Sequence, residues 1–217
     1  MKPTIIYLHG FASGPKSTKA SFFASCLKSR NIEVHVPDLN GKNFESLTLS
    51  SQLAIAREVV GQIKGPIIFI GSSMGGLLSV LLSKEYKQTI GMVLMAPGFG
   101  LPKRWQALLK EQGMEAWQKN GFVEVFHYGF GKSCRLNYAF VDDVCKYQTD
   151  KLRVDSPTLV FHGRKDETVP IEESEEFAAL NKGFVSLRAL DDGHELIEPL
   201  EQIWDDTWKF MLQNKWY

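Results

Sequence analysis

The sequence carries no net charge: across 217 residues, 25 lysines and arginines balance 25 aspartates and glutamates. A balanced chain has no electrostatic footprint for nucleic acid or for an anionic membrane surface, which leaves a neutral or modestly charged small molecule as the expected partner. Cysteine is scarce. Cys26, Cys134 and Cys145 are odd in number and show no CxxC spacing, so neither a disulfide framework nor a zinc site is expected. No apolar run approaches the roughly 18 residues that suggest a membrane span. The N-terminal apolar stretch Ile5-Ile6-Tyr7-Leu8 stops at His9-Gly10, too soon for a signal-peptide core, and the expectation is a cytoplasmic protein. Internal repeats and low-complexity linkers are also missing.

What the sequence does have is core material: 44 % of its residues are hydrophobic, enough for one domain of this length. Short apolar runs alternate with longer helical patterns. The expected strands are Thr4–Leu8, Glu33–Val36, Ile67–Ile70, Gly91–Met95, Thr158–Phe161 and Val185–Leu190. Most lack in–out alternation, as strands buried on both faces of a parallel sheet do. Helices are expected over Ser17–Ser29, Leu47–Lys64, Met74–Tyr86, Ile171–Leu180 and Ile197–Leu212. Strand–helix alternation with right-handed crossovers gives an α/β protein with a doubly wound sheet.

One stretch breaks this rhythm. Between Ala96 and Thr158 lie Trp105, Trp117, Phe122, Phe126, Tyr128, Phe130, Tyr138, Phe140 and Tyr147. A helix is expected over Leu101–Lys110, and two short strands over Gly121–Tyr128 and Cys134–Phe140, joined through Gly129-Phe130-Gly131-Lys132. A long aromatic insertion after a buried strand is where a lid belongs, although the same residues could equally build a satellite core.

The sharpest chemical signal is Ile67-Ile68-Phe69-Ile70-Gly71-Ser72-Ser73-Met74-Gly75-Gly76, a Gly-x-Ser-x-Gly between an apolar strand and a helix. Such a turn holds its serine in a strained backbone position and aims the hydroxyl from a helix N-terminus. Ser73 has Gly71 and Gly75 two residues to either side; Ser72 has Ile70 and Met74 there, which the turn does not permit. Ser73 is therefore the nucleophile candidate, with Gly71 and Gly75 as the elbow glycines.

His9-Gly10-Phe11 follows the first strand. Acyl transfer needs two N–H groups facing the developing oxyanion, and the backbone of Phe11 and Met74 can supply them. His9 reads as a buried support for that loop. Gly10-Phe11-Ala12-Ser13-Gly14-Pro15-Lys16-Ser17 nearly matches a phosphate-binding loop. Pro15, however, replaces the second glycine and removes an N–H that would cradle phosphate, and no strand ends in a magnesium-binding acid. Nucleotide binding is thus the lesser alternative, and Lys16 reads as solvated.

Phe161-His162-Gly163-Arg164-Lys165-Asp166 ends another strand, and its acid can orient an imidazole through Nδ1–H. Glu167 competes for that role, and Asp166 could instead cap the helix that follows Val169-Pro170. The last strand leads into Asp191-Asp192-Gly193-His194. Of five histidines, only His194 lies on a loop after that strand. Ser73, Asp166 and His194 then form a catalytic triad in chain order.

On these residues the chain resembles the α/β-hydrolase superfamily over nearly its whole length. Its opening, Tyr7-Leu8-His9-Gly10-Phe11-Ala12-Ser13-Gly14-Pro15-Lys16-Ser17, is most similar to the small bacterial YqiA-type esterases. The resemblance implies hydrolysis of small carboxylic esters through an acyl-enzyme, without metal or cofactor, and a cap inserted at about 99–152 of a single domain. It also implies a minimal, mostly parallel sheet of about six strands in the order 2-1-3-4-5-6, since the antiparallel hairpin that usually comes first is missing. Thioesterase, amidase or peptidase action fits the same triad, and a non-catalytic binding module of the same fold would show occupancy without turnover.

Overall fold

The computed structural model describes residues 2–217. Six strands form one parallel sheet: β1 (Thr4–Leu8), β2 (Val34–His35), β3 (Ile67–Ser72), β4 (Thr89–Met95), β7 (Thr158–Gly163) and β8 (Val185–Leu190), in the order β2-β1-β3-β4-β7-β8. Counted along the main sheet alone, this is the expected 2-1-3-4-5-6. The connecting helices are α1 (Thr18–Lys28), α2 (Leu49–Val60), α3 (Met74–Glu85), α6 (Glu172–Leu180) and α7 (Leu200–Gln213). This is the α/β-hydrolase fold that the motifs imply.

The near-continuous hydrophobicity of the central strands reflects two covered faces. Ile5, Tyr7, Ile68, Ile70, Val93 and Met95 pack against Phe23 of α1 and Trp204 and Met211 of α7. Their strand neighbours Ile6, Leu8, Ile67, Phe69, Met92 and Leu94 pack on the other side, where α2 supplies Leu53 and α3 supplies Leu77 and Leu78. The residues of β8 alternate between intermediate and exposed until Leu190, because β8 is an edge strand. Helix α3 has nine buried residues and no polar face to speak of, as expected of a helix wedged against the centre of the sheet.

Boundaries differ from the sequence reading in ways that local chemistry explains. The second strand shrinks to Val34–His35 at the sheet edge. α2 starts at Leu49 because Thr48 and Ser51 form a reciprocal capping box. α7 starts three residues later than Ile197, after Pro199, whose missing N–H suits a helix start.

Between β4 and β7 the chain builds α4 (Leu101–Asn120), an antiparallel hairpin of β5 (Phe122–His127) and β6 (Lys132–Asn137), and α5 (Ala139–Val144). The helix expected to end at Lys110 continues to Asn120. Lys110 itself has φ 55° and ψ 177°, so two helical segments meet there at a kink. The second expected strand, Cys134–Phe140, is corrected to Lys132–Asn137, and Phe140 belongs to α5. That short helix buries Phe140 and Val144. It also presents Asp143, whose carboxylate accepts from the N–H of Ser50 at 2.7 Å and from its hydroxyl at 2.7 Å. A six-residue helix held by one long-range polar contact leaves no periodic trace in sequence. Trp105, Trp117, Phe140 and Phe11 form one aromatic cluster, so the insertion has a core of its own that is continuous with the sheet.

Candidate active site

Ser73 sits between β3 and α3 with φ 52° and ψ −118°, a conformation non-glycine residues rarely adopt. The turn is tight enough to dictate its neighbours. A Cβ on Gly75 would fall 2.0 Å from the Leu8 carbonyl oxygen, and one on Gly71 would fall 2.4 Å from that of Gly75. The Gly-x-Ser-x-Gly spacing is thus a packing requirement of this bend. Ser73 N–H donates to Met95 O at 2.8 Å and its carbonyl accepts from Gly98 N–H at 3.0 Å, fixing the turn against the end of β4.

His194 lies on the loop between β8 and α7, as expected. Its Nε2 stands 3.1 Å from Ser73 Oγ and its Nδ1 2.8 Å from Asp166 Oδ2. Asp166 follows β7, and its side chain is fully buried. Its Oδ1 accepts from the N–H groups of Thr168 (2.9 Å) and Val169 (2.7 Å), so it closes the turn after β7 as well as meeting the imidazole; α6 starts later, with Ile171 at its N-cap and no side-chain cap, so Asp166 does not cap that helix. Burial raises the Asp166 carboxyl, but hydrogen bonds from His162, His194 and Val169 outweigh it and hold the group well below the usual carboxylate range. Glu167, the competing acid, is solvent-exposed.

His162 is a further partner of Asp166. Nδ1 of this buried ring lies 2.7 Å from Ser174 Oγ, while Nε2 lies 2.9 Å from Val169 O and 3.2 Å from Asp166 Oδ2. Both neighbours of Nε2 are acceptors, so Nε2 carries the proton and Nδ1 accepts from the Ser174 hydroxyl. Lys19 braces the opposite side of the His194 loop. Its buried ammonium donates to the Glu195 carbonyl. Burial pushes that ammonium down, against the pull of Glu195, Asp166 and Asp192. Neither role was readable from sequence: Lys19 sits in a helical pattern that gives no sign of burial, and Ser174 is one serine among several.

The His9-Gly10-Phe11 loop lies directly against the serine: a Cβ on Gly10 would be 3.4 Å from Ser73 Cβ. His9 is buried, with Nδ1 2.9 Å from Gly10 O and Nε2 accepting from Leu39 N–H at 3.0 Å. It supports the loop. Among the described residues, the N–H groups of Phe11 and Met74 have no hydrogen-bond partner. Pro15 lies in an ordinary turn closed by Ser17 N–H to Gly14 O at 3.0 Å, and Lys16 is exposed.

A cavity of about 630 Å³ lies between the start of α4, residues 145–152 and α6, lined by Phe99, Arg104, Tyr147, Leu152, Phe177 and Leu180 among others, and none of Ser73, Asp166 and His194 lines it. Among the described residues, no group of three or more His, Cys, Asp or Glu side chains is arranged to hold a metal ion. Nor is any helix among them long and apolar enough to cross a membrane.

A sheet of this order, with a strained serine after β3, an acid after β7 and a histidine after β8, defines an α/β-hydrolase-fold protein. Residues 4–205 match the model of the uncharacterised protein family UPF0227, and the chain belongs to that family. It is 25 % identical over 183 residues to the mitochondrial palmitoyl-protein thioesterase ABHD10 of Mus musculus, covering 79 % of this chain and 61 % of that one. The chain thus spans about three fifths of the length of this curated relative. Two solved structures share the fold. The α/β hydrolase domain-containing protein 10 from mouse superposes with a TM-score of 0.82 at 20 % identity, over 98 % of this chain and 91 % of that chain. Est1E from Butyrivibrio proteoclasticus gives 0.80 at 23 %, over 98 % and 88 %.

Proposed function

We propose that the chain is a serine hydrolase that cleaves small carboxylic esters by two-step acyl transfer. The observation that carries this is the relay from Ser73 Oγ through His194 to the buried Asp166, at 3.1 and 2.8 Å. In this reading Ser73 Oγ attacks the ester carbonyl carbon while His194 Nε2 takes the hydroxyl proton. The oxyanion is met by the N–H groups of Phe11 and Met74, both without partners among the described residues. As the tetrahedral adduct collapses, His194 returns the proton to the leaving alkoxide and the acyl group stays on Ser73. Water, deprotonated by the same imidazole, then attacks the acyl carbon, and collapse of that adduct frees the acid and restores Ser73. Asp166 keeps its charge throughout, holding Nδ1–H toward itself so that Nε2 can act as base.

The insertion between β4 and β7 acts as a cap over this site. The aromatic side chains that the insertion packs against Phe11, namely Trp105 and Phe140, suit a small acyl or aryl group. A solved structure of Est1E with ferulic acid bound shares the fold at a TM-score of 0.79, which is in keeping with an aryl substrate here. A thioester substrate is the second reading, favoured by the name of the mouse relative, a palmitoyl-protein thioesterase.

p-Nitrophenyl acetate and butyrate, assayed beside the matched butyryl thioester, test the proposal. Turnover of the oxygen esters with the larger kcat/KM is the expected result. A kcat/KM at least tenfold higher for the thioester would replace the esterase reading with the thioesterase one. No turnover of either by the folded protein would favour a ligand-binding module.

A further inference from the structure

The proposed mechanism leaves the buried histidine of the insertion unused. His127, at the end of β5, is completely buried. Phe130 N–H donates to its Nδ1 at 3.1 Å, so Nδ1 is an acceptor and Nε2 carries the hydrogen. That hydrogen is donated to Asn40 Oδ1 at 3.0 Å. The bond orients the buried Asn40 amide, whose Nδ2 then donates to the Ser13 carbonyl at 2.7 Å and to Asp38 Oδ1 at 2.9 Å. One residue past His127, Tyr128 N–H donates to the Ala12 carbonyl at 2.8 Å. Gly129 lies flat on Ser13, where a Cβ would come within 3.2 Å of its carbonyl. The hairpin tip therefore holds the Ala12 carbonyl directly and the Ser13 carbonyl through Asn40, just after Phe11. Ala12 is held at φ 51°, a strained value that surrounding structure must impose. The Phe11 ring is held separately, by Trp105 at 5.8 Å and Phe140 at 5.6 Å.

We infer that the β5–β6 hairpin is a fixed brace, and that His127 and Asn40 are positioning residues which hold the Phe11 N–H toward Ser73. This rests on the hydrolase reading and extends it: the insertion shapes transition-state stabilisation as well as covering the site. An oxyanion donor acts mainly in the transition state, so a loop displaced by a fraction of an ångström lowers kcat more than it raises KM. Burial pushes the His127 imidazole below its ordinary value, with His9 acting the same way and the backbone carbonyl of His127 and Asp38 opposing it. A charged ring would turn an Nδ1–H against the Phe130 N–H.

The test compares His127→Leu, Asn40→Leu and His127→Gln with wild type on p-nitrophenyl butyrate. The expected result is a kcat lower by about 10- to 100-fold in both leucine variants with KM within about threefold, since complete loss of one oxyanion donor removes about 10²- to 10³-fold. His127→Gln restores most of the rate, because its amide N–H reaches toward Asn40 Oδ1. A folded His127→Leu that keeps wild-type kcat, or that raises KM alone, overturns the inference. Hydrogen exchange supplies a readout independent of turnover: amides of residues 10–14 exchange faster in His127→Leu, and unchanged exchange there contradicts the brace whatever the activity. Absence of turnover in the wild type contradicts the hydrolase reading, not the brace.

Discussion

Ser73→Ala is expected to abolish ester turnover while leaving the protein folded. The loss should be on the order of 10⁶ in kcat, the size found when the nucleophile of a serine protease triad is removed. The hydroxyl has a single hydrogen-bond contact, the 3.1 Å approach to His194 Nε2, so removing it disturbs no scaffold. The strain at φ 52° belongs to the backbone and is the same for alanine, which also carries a Cβ. Circular dichroism and thermal unfolding close to wild type should therefore accompany the inactive variant. Turnover within tenfold of wild type would remove Ser73 from the chemistry.

Asp166→Asn should also be severely damaging, though less so than Ser73→Ala and for a different reason. Oδ1 of Asp166 accepts two backbone N–H groups, so an asparagine must keep its oxygen there. Its NH2 group then points at the two imidazoles that now meet Oδ2. Donor faces donor at His162 Nε2 and at His194 Nδ1. His194 escapes by moving its proton to Nε2, the tautomer that cannot accept from Ser73. A loss on the order of 10⁴ in kcat is expected, as for the equivalent change in a serine protease. Stability follows from the depressed carboxyl. A group whose folded pKa lies below its unfolded value of about 3.9 stabilises the fold fully above that value and loses the contribution as pH falls through and below it. Wild type should therefore unfold at higher urea than Asp166→Asn at pH 7, and the gap should narrow below about pH 4. Equal midpoints at both pH values would contradict the lowered carboxyl.

The sheet was readable because its strands are buried on both faces and bounded by turn residues. The serine elbow was readable because the clashes at Gly71 and Gly75 leave no other residue type possible. Asp166 and His194 could be placed because each follows the end of a strand. What stayed hidden depends on distant partners. The short helix α5 is fixed by Asp143 meeting Ser50 and by burial of Phe140 and Val144, and the kink at Lys110 has no proline or glycine at that position to announce it. Lys19, Asn40, His127 and Ser174 owe their roles to residues as far as 176 positions away, as with Lys19 and Glu195, and no local pattern records such contacts.

Hydrolysis by this site requires Ser73 to be an activated nucleophile. Reaction with a fluorophosphonate, with the adduct mapped by mass spectrometry, tests that directly and needs no knowledge of the substrate. A single adduct on Ser73, absent from Ser73→Ala and slowed in Asp166→Asn, is the predicted result. A folded wild type that forms no adduct, or labelling at another serine that persists in Ser73→Ala, would contradict it.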